Sequence, residues 1–138
     1  MEKNVNLFSK DNYDLADLST DNKVEITIAV NELFLALTKM LKGWGFSAPK
    51  AEVTSKILME ANLKGYPSHG IERVLQIFEG VKYKTIKPNA KFETIVDFNS
   101  IGVINANSGI GQWAGHRAMN WAIKKAQSYG VGVVGVIN

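Results

Sequence analysis

The spacing of apolar residues divides this 138-residue chain into three stretches. Over residues 1–22, Val5, Leu7, Phe8, Tyr13, Leu15 and Leu18 keep no sustained period and are separated by polar residues. This predicts a mobile or loosely docked polar arm. From Thr27 to about Lys42 the spacing is helical. Val30, Leu33, Phe34, Leu37, Leu41 and Trp44 recur every three or four residues until Gly43 and Gly45 stop the run. Ser47 and Pro49 signal a second helix, with Val53, Ile57, Leu58 and Ala61 on one face and an end at Gly65. A third helix carries Ile71, Val74, Leu75, Phe78 and Val81 on its expected buried stripe. Residues 23–87 therefore read as a compact helical unit.

After Pro88 the period falls to two. Phe92–Phe98 and Ile101–Ala106 read as strands joined by a short hairpin at Asn99-Ser100. Gly109–Gly111 opens a fourth helix that runs to about Ser128 and closes at Gly130, with Ala114, Ala118, Ala122 and Ala126 in a column suited to close packing on a sheet. The final run, Val131–Ile137, is apolar on both alternating faces, the pattern of a central strand covered on both sides. Only one hairpin is available to flank it, so further chain or a second chain is expected to complete the sheet. Residues 88–138 thus read as the start of a substrate or core domain. The fold class is mixed α/β: a helical unit, then a β-hairpin, a helix and a buried strand of an incomplete sheet.

Composition narrows the classes. With 46% hydrophobic and 21% charged residues, the chain can bury a core, which excludes wholesale disorder. No apolar run approaches the ~18–20 residues of a membrane span, and the first twenty residues hold no signal-peptide core. The absence of cysteine excludes disulfides and thiolate metal sites. A soluble cytoplasmic chain without a membrane partner is expected. The formal charge of +3 is unevenly spread, because the arm is net negative and the remainder more basic. The basic residues do not line up as a nucleic-acid track: Lys82-Tyr83-Lys84 with Lys87 and Lys91 reads as a solvated linker. Small acidic substrates or a phosphorylated cofactor suit the excess charge.

His69 and Arg73 are the chief chemical candidates. They lie four residues apart at the mouth of the third helix, which predicts that they share one helical face. There the guanidinium could hold the carboxylate of a 2-oxo or 2-hydroxy acid while the imidazole exchanges a proton with the neighbouring oxygen. Alternatively, Ser68 is an N-cap, His69 a surface residue and Arg73 a solvated charge. His116, beside Arg117 and near Trp113 and Asn120, reads as a surface or interface histidine. Nothing near it has metal-ligand spacing, so no metal site is expected. Gly109-Ile110-Gly111-Gln112-Trp113-Ala114 matches the dinucleotide turn G-x-G-x-x-[G/A], making Gly109 and Gly111 weak cofactor candidates. Asn138 stands where the next strand should offer an acidic residue to a ribose, and a glycine turn that packs a helix on a strand fits equally.

Taken together, these segments resemble the malate/L-lactate dehydrogenase-like NAD(P)-dependent oxidoreductases, which include ureidoglycolate dehydrogenase, diketogulonate reductase and piperideine-carboxylate reductase. The likeness runs from about Lys23 to Asn138 and rests on four blocks. They are Ala61 to Arg73 with its Ser68-His69-Gly70, Asn105 to Gln112, Ala118 to Ala126, and Gly130 to Asn138. The resemblance implies that His69 is the proton donor or acceptor and that Ser68 and Arg73 contact a small 2-oxo or 2-hydroxy acid. It also implies NAD or NADP bound on a non-Rossmann fold, mostly outside this chain. Gly109 and Gly111 then form a structural turn near the substrate cleft, and the full-length form is a homodimer. The chain departs from the pattern at Ile77, where the family usually has tyrosine, in residues 1–22, and in length, since family members are well over twice as long. The 138 residues alone are therefore expected to be catalytically silent. A small Rossmann-like nucleotide module, or a non-catalytic remnant that acts as a dimerisation partner, stand as the alternatives.

Overall fold

The computed structural model describes residues 4–6 and 27–138. A short strand β1 (Asn4–Asn6) pairs antiparallel with β2 (Thr27–Ala29), and the first helix, α1 (Val30–Gly43), follows directly. The helix thus starts three residues later than its apolar period suggests, because Thr27 and Ile28 are held in strand pairing opposite Asn6 and Val5. Apart from Asn4–Asn6, the expected polar arm lies outside the described residues.

Helix α2 (Ala48–Leu63) begins after Ser47, which is extended, with Pro49 in its first turn. Its deepest positions are Ala51, Thr54, Ser55 and Leu58, so the buried face is rotated from the expected one, on which Val53, Ile57 and Ala61 are only half-buried. Small side chains let α1 and α2 approach closely, and the Thr38 hydroxyl donates to Ser55 Oγ across them at 3.2 Å.

Helix α3 (Arg73–Lys82) buries Ile77 and Gly80, whereas Leu75 and Phe78 of the expected stripe are exposed. The stripe is displaced because the helix begins at Arg73, after a separate 3-10 turn (Pro67–His69).

In the second half, β3 (Glu93–Phe98) and β4 (Ile101–Asn105) form the expected hairpin, with Asn99 in the left-handed region (φ +43°). Helix α4 (Gly111–Tyr129) then crosses to β5 (Val133–Ile137), which pairs parallel with β4 and gives the sheet order β3-β4-β5. Gly130 takes φ +80° to stop α4, and a Cβ at Gly132 would overlap the Ala122 carbonyl, so β5 begins in contact with the alanine column. The sheet is incomplete over these residues, as expected. Among the described residues β5 is an edge strand paired only with β4, and Val133, Val136 and Ile137 are exposed. Its main contacts among the described residues are with β4 and α4, and its remaining apolar surface suits a further neighbour.

One buried cluster joins the halves. Leu41, Phe46, Ala51, Leu58 and Ile77 pack with Ile110, which immediately precedes α4, and Trp113 adds to them from its first turn. Each fully buried Leu or Ile contributes about 1.5–3 kcal/mol, so this cluster fixes α4 against the helical unit. Lys50 reinforces the join: its Nζ donates to the carbonyls of Pro88 (2.7 Å) and Ala90 (3.0 Å), and burial pushes its pKa below the usual lysine range.

Candidate functional site

The site begins where α2 ends. Gly65 takes φ +82°, and the Tyr66 N–H donates back to the Ala61 carbonyl at 2.9 Å, which reverses the chain. Pro67 then initiates the 3-10 turn. His69 N–H donates to Tyr66 O (3.0 Å) and Gly70 N–H to Pro67 O (2.8 Å). The turn is pinned to α2 by Asn62, whose Oδ1 accepts from the Ile71 N–H at 2.6 Å. Gly70 is buried directly against that amide: a Cβ there would overlap Asn62 Oδ1 and lie 3.0 Å from the Leu58 carbonyl. The glycine of Ser68-His69-Gly70 is thus required by close approach.

His69 and Arg73 do not share a helical face, as their spacing suggested, because Gly70–Glu72 separates the 3-10 turn from α3. They meet by a different route. The Arg73 guanidinium folds back over the turn, Nε donating to Ser68 O and Nη1 to Gln76 Oε1, each at 2.6 Å. Ser68 Oγ lies 3.1 Å from His69 Nδ1. His69, Arg73 and Gln76 line one side of a cavity of ≈ 330 Å³, which Ile77, Ile86 and Ile110 share and which Gly111 and Gln112 complete from α4. Ser68 and His69 are exposed and Arg73 is half-buried. The site therefore combines an accessible imidazole, a fixed cation and an apolar wall. That arrangement can hold a small carboxylate and move a proton at the adjacent oxygen.

The glycines of the dinucleotide-like turn part company. A Cβ at Gly109 would lie 2.6 Å from Phe92 Cε1 and 2.8 Å from the Ala106 carbonyl, so this glycine serves helix–strand packing. Gly111 has open space around it and borders the His69 cavity. With Gly109 covered and Asn138 at the end of β5, the described residues do not fit a dinucleotide phosphate and ribose at this turn.

His116 lies elsewhere on α4, stacked on Trp113 and 2.9 Å from Asn120 Nδ2 through its Nε2. A larger groove of ≈ 720 Å³ between β3 and α4 contains Arg117, Trp121 and Lys124 but none of the residues chosen from the Ser-His-Gly segment. Among the described residues no group of His, Asp or Glu could hold a metal ion, and no helix is long and apolar enough to cross a membrane.

Sequence reasoning overlooked Gln76, Gln112 and the role of Asn62. Gln76 sits one turn after Arg73, a spacing that brings side chains together on a helix, and that was the available signal. The link from Asn62 to Ile71 spans nine residues of non-helical turn and has no periodic signature.

Residues 28–138 match the family described as Malate/L-lactate dehydrogenase. The malate/(S)-sulfolactate dehydrogenase of Methanothermus fervidus is 39% identical over 100 residues, covering 72% of this chain and 30% of the relative. The malate dehydrogenase of Pyrococcus horikoshii is 30% identical over 109 residues, covering 79% and 30%. In three dimensions, sulfolactate dehydrogenase from Methanocaldococcus jannaschii superposes with a TM-score of 0.76 at 34% identity, over 78% of this chain and 31% of that one. The chain spans about a third of the length of these relatives. Its fold is mixed α/β and of this dehydrogenase type, as the resemblance implied.

Proposed function

The chain belongs to the malate/L-lactate dehydrogenase family, and on that premise we propose that it forms the substrate side of an NAD(P)-dependent oxidoreductase acting on a small 2-oxo or 2-hydroxy acid. The observation that carries this reading is the convergence of His69 and Arg73 on one cavity, with an isoleucine wall beside them. In such a reaction the nicotinamide, NAD or NADP, supplies or accepts the hydride. This chain's residues do the rest. Arg73 anchors the substrate carboxylate by charge-assisted hydrogen bonds. Ser68 Oγ, 3.1 Å from Nδ1, orients the ring. An imidazolium at His69 would give its Nε2 proton to a substrate carbonyl oxygen as the hydride arrives. In the reverse direction the neutral ring, with its remaining proton on Nδ1 directed at Ser68 Oγ, would take the proton back from a hydroxyl. Ile77, Ile86 and Ile110 exclude water from one side of the cavity. The malate and sulfolactate named for the relatives are the first substrates to try.

The test has two arms. The purified chain, supplied with NADH or NADPH and pyruvate, oxaloacetate or glyoxylate, should show no steady turnover, because its described residues build no dinucleotide cradle. A chimera in which residues 28–138 replace the matching segment of the M. fervidus enzyme should be active. His69→Ala within it should lower kcat by about 10²–10⁴-fold. Sustained turnover by the chain alone, or an undiminished His69→Ala chimera, refutes the reading.

A further inference from the structure

We infer that Gln76 is the positioning residue of the proposed anion site, fixing the Arg73 guanidinium in the orientation that receives a carboxylate; this rests on the reading of the His69 cavity given above. An arginine has five N–H donors and a long, rotatable stem. Here Nε donates to the Ser68 carbonyl and Nη1 to Gln76 Oε1, both at 2.6 Å. The two bonds lie on different nitrogens, so together they stop rotation about the terminal bonds of the side chain. Holding Nε closes the side-on fork, in which Nε and Nη2 would act as a pair. Among the described residues Nη2 and the second hydrogen of Nη1 have no protein acceptor, so the guanidinium presents its outer end to a ligand.

Gln76 also lines the cavity itself. Its Oε1 already faces the guanidinium, so what its amide adds for an incoming anion is the neutral donor pair on Nε2. The residue is exposed, and its contact with Arg73 is a side-chain hydrogen bond one turn along α3, so the core does not require a glutamine there. The next residue, Ile77, faces the buried cluster with Leu41, Phe46 and Ile110 and provides no polar atom. Orientation of Arg73 on this side of the cavity therefore falls to Gln76.

The inference is tested by NMR titration of the full 138-residue chain with pyruvate, following the His69 imidazole signals. The wild-type chain should show saturable shifts, and Arg73→Ala should weaken binding by at least about tenfold. Gln76→Leu should weaken it by about three- to tenfold, the effect of releasing one immobilised side chain. Gln76→Glu keeps the acceptor but neutralises the guanidinium, so it should weaken pyruvate binding more than Gln76→Leu while leaving the urea midpoint unchanged or raised. A merely structural hydrogen bond would instead lower the urea midpoint of Gln76→Leu while leaving its pyruvate affinity at the wild-type value, which overturns the inference. Wild-type affinity in both Gln76 variants, with binding still lost in Arg73→Ala, overturns the inference and leaves the site reading intact. No saturable shift in the wild type, or no effect of Arg73→Ala, overturns the site reading and the inference with it.

Discussion

Replacing Gly70 with alanine would press a methyl group into the amide that holds the His69 turn. The added Cβ would overlap Asn62 Oδ1, lie 2.7 Å from Asn62 Cγ and stand 3.0 Å from the Leu58 carbonyl. Leu58 is fully buried in the middle of α2 and cannot yield, so the Asn62 amide must move. That breaks its 2.6 Å bond from the Ile71 N–H and leaves a part-buried donor without a partner, at a cost of about 1–3 kcal/mol. Residual overpacking adds about 1 kcal/mol, the low end of the usual range because one neighbour can rotate. Against this, the smaller conformational freedom of alanine in the unfolded chain returns only about 0.4–1 kcal/mol. The clash wins, and the net expectation is a loss of about 2–3 kcal/mol.

Urea denaturation followed by tryptophan fluorescence measures this. With an m-value of about 1–3 kcal/mol/M for a small domain, the midpoint should fall by about 1–2 M. A double-mutant cycle identifies the cause. Asn62→Ala alone should cost about 1–2 kcal/mol for the lost bond. Adding Gly70→Ala to it should cost little more, because the obstructing amide is already gone. A Gly70→Ala variant within about 0.5 kcal/mol of wild type, or strictly additive costs in the cycle, would refute the account of why the glycine follows His69.

Three further substitutions separate packing from chemistry elsewhere. Gly109→Ala should destabilise the chain by about 1–3 kcal/mol through contact with Phe92 and Ala106, whereas Gly111→Ala, with open space around it, should be neutral or up to about 1 kcal/mol more stable; equal losses in thermal unfolding would contradict this division. Lys125 is 5% exposed and donates to Asp97 (2.6 Å) and to the Asn99 carbonyl (2.8 Å), while the Asp97 side chain is 62% exposed. Removing Asp97 leaves the buried ammonium its bond to the Asn99 carbonyl but no counter-charge, so Asp97→Ala should cost about 2 kcal/mol, but Lys125→Met leaves only a solvated carboxylate and should cost less than about 1 kcal/mol; the opposite ranking in urea would refute this. Lys50 holds its proton less tightly folded than unfolded. The unfolded chain therefore binds more protons between the lowered pKa and the ordinary 10.5, and stability should rise with pH across that window. Measured against Lys50→Met, which should itself lose about 1–2 kcal/mol of hydrogen bonding, the wild-type advantage should grow as pH rises through that window and disappear from no part of it.

The features legible in the sequence were those written within a few neighbouring residues. Gly130 closes α4 because it alone there adopts φ +80° without strain, and Asn99-Ser100 joins β3 to β4 as two turn residues between alternating runs. The structure differed where an outcome depended on distant partners. The α2 stripe counted large apolar residues, yet Thr54 and Ser55 occupy the deepest positions because α1 comes close enough to exclude bulk. His69 and Arg73 line one cavity, but not through helical spacing: a 3-10 turn pinned by Asn62, outside the span between them, brings them there.

The neighbouring pair Gln76 and Ile77 explains how a site of this kind tolerates its departure from the family pattern. The resemblance implies a tyrosine at position 77, a residue that combines an apolar ring with a hydroxyl at its tip. Here the two properties are divided between adjacent positions. Ile77, 4% exposed, joins the cluster that ties α3 to Ile110 and so fixes the distance between the His69 turn and α4. Gln76, one residue earlier and about 100° round the helix, faces the cavity and meets Arg73. A tyrosine at 77 would have to fit its ring among Leu41, Phe46 and Leu58 or swing out of the cluster and loosen the wall. With isoleucine there, the core stays closed and the polar work passes to a side chain whose exposure leaves it free to be tuned. The anion-binding geometry proposed for Arg73 is thereby separated from the stability of the helical unit, so substitutions at Gln76 should change affinity without changing the fold.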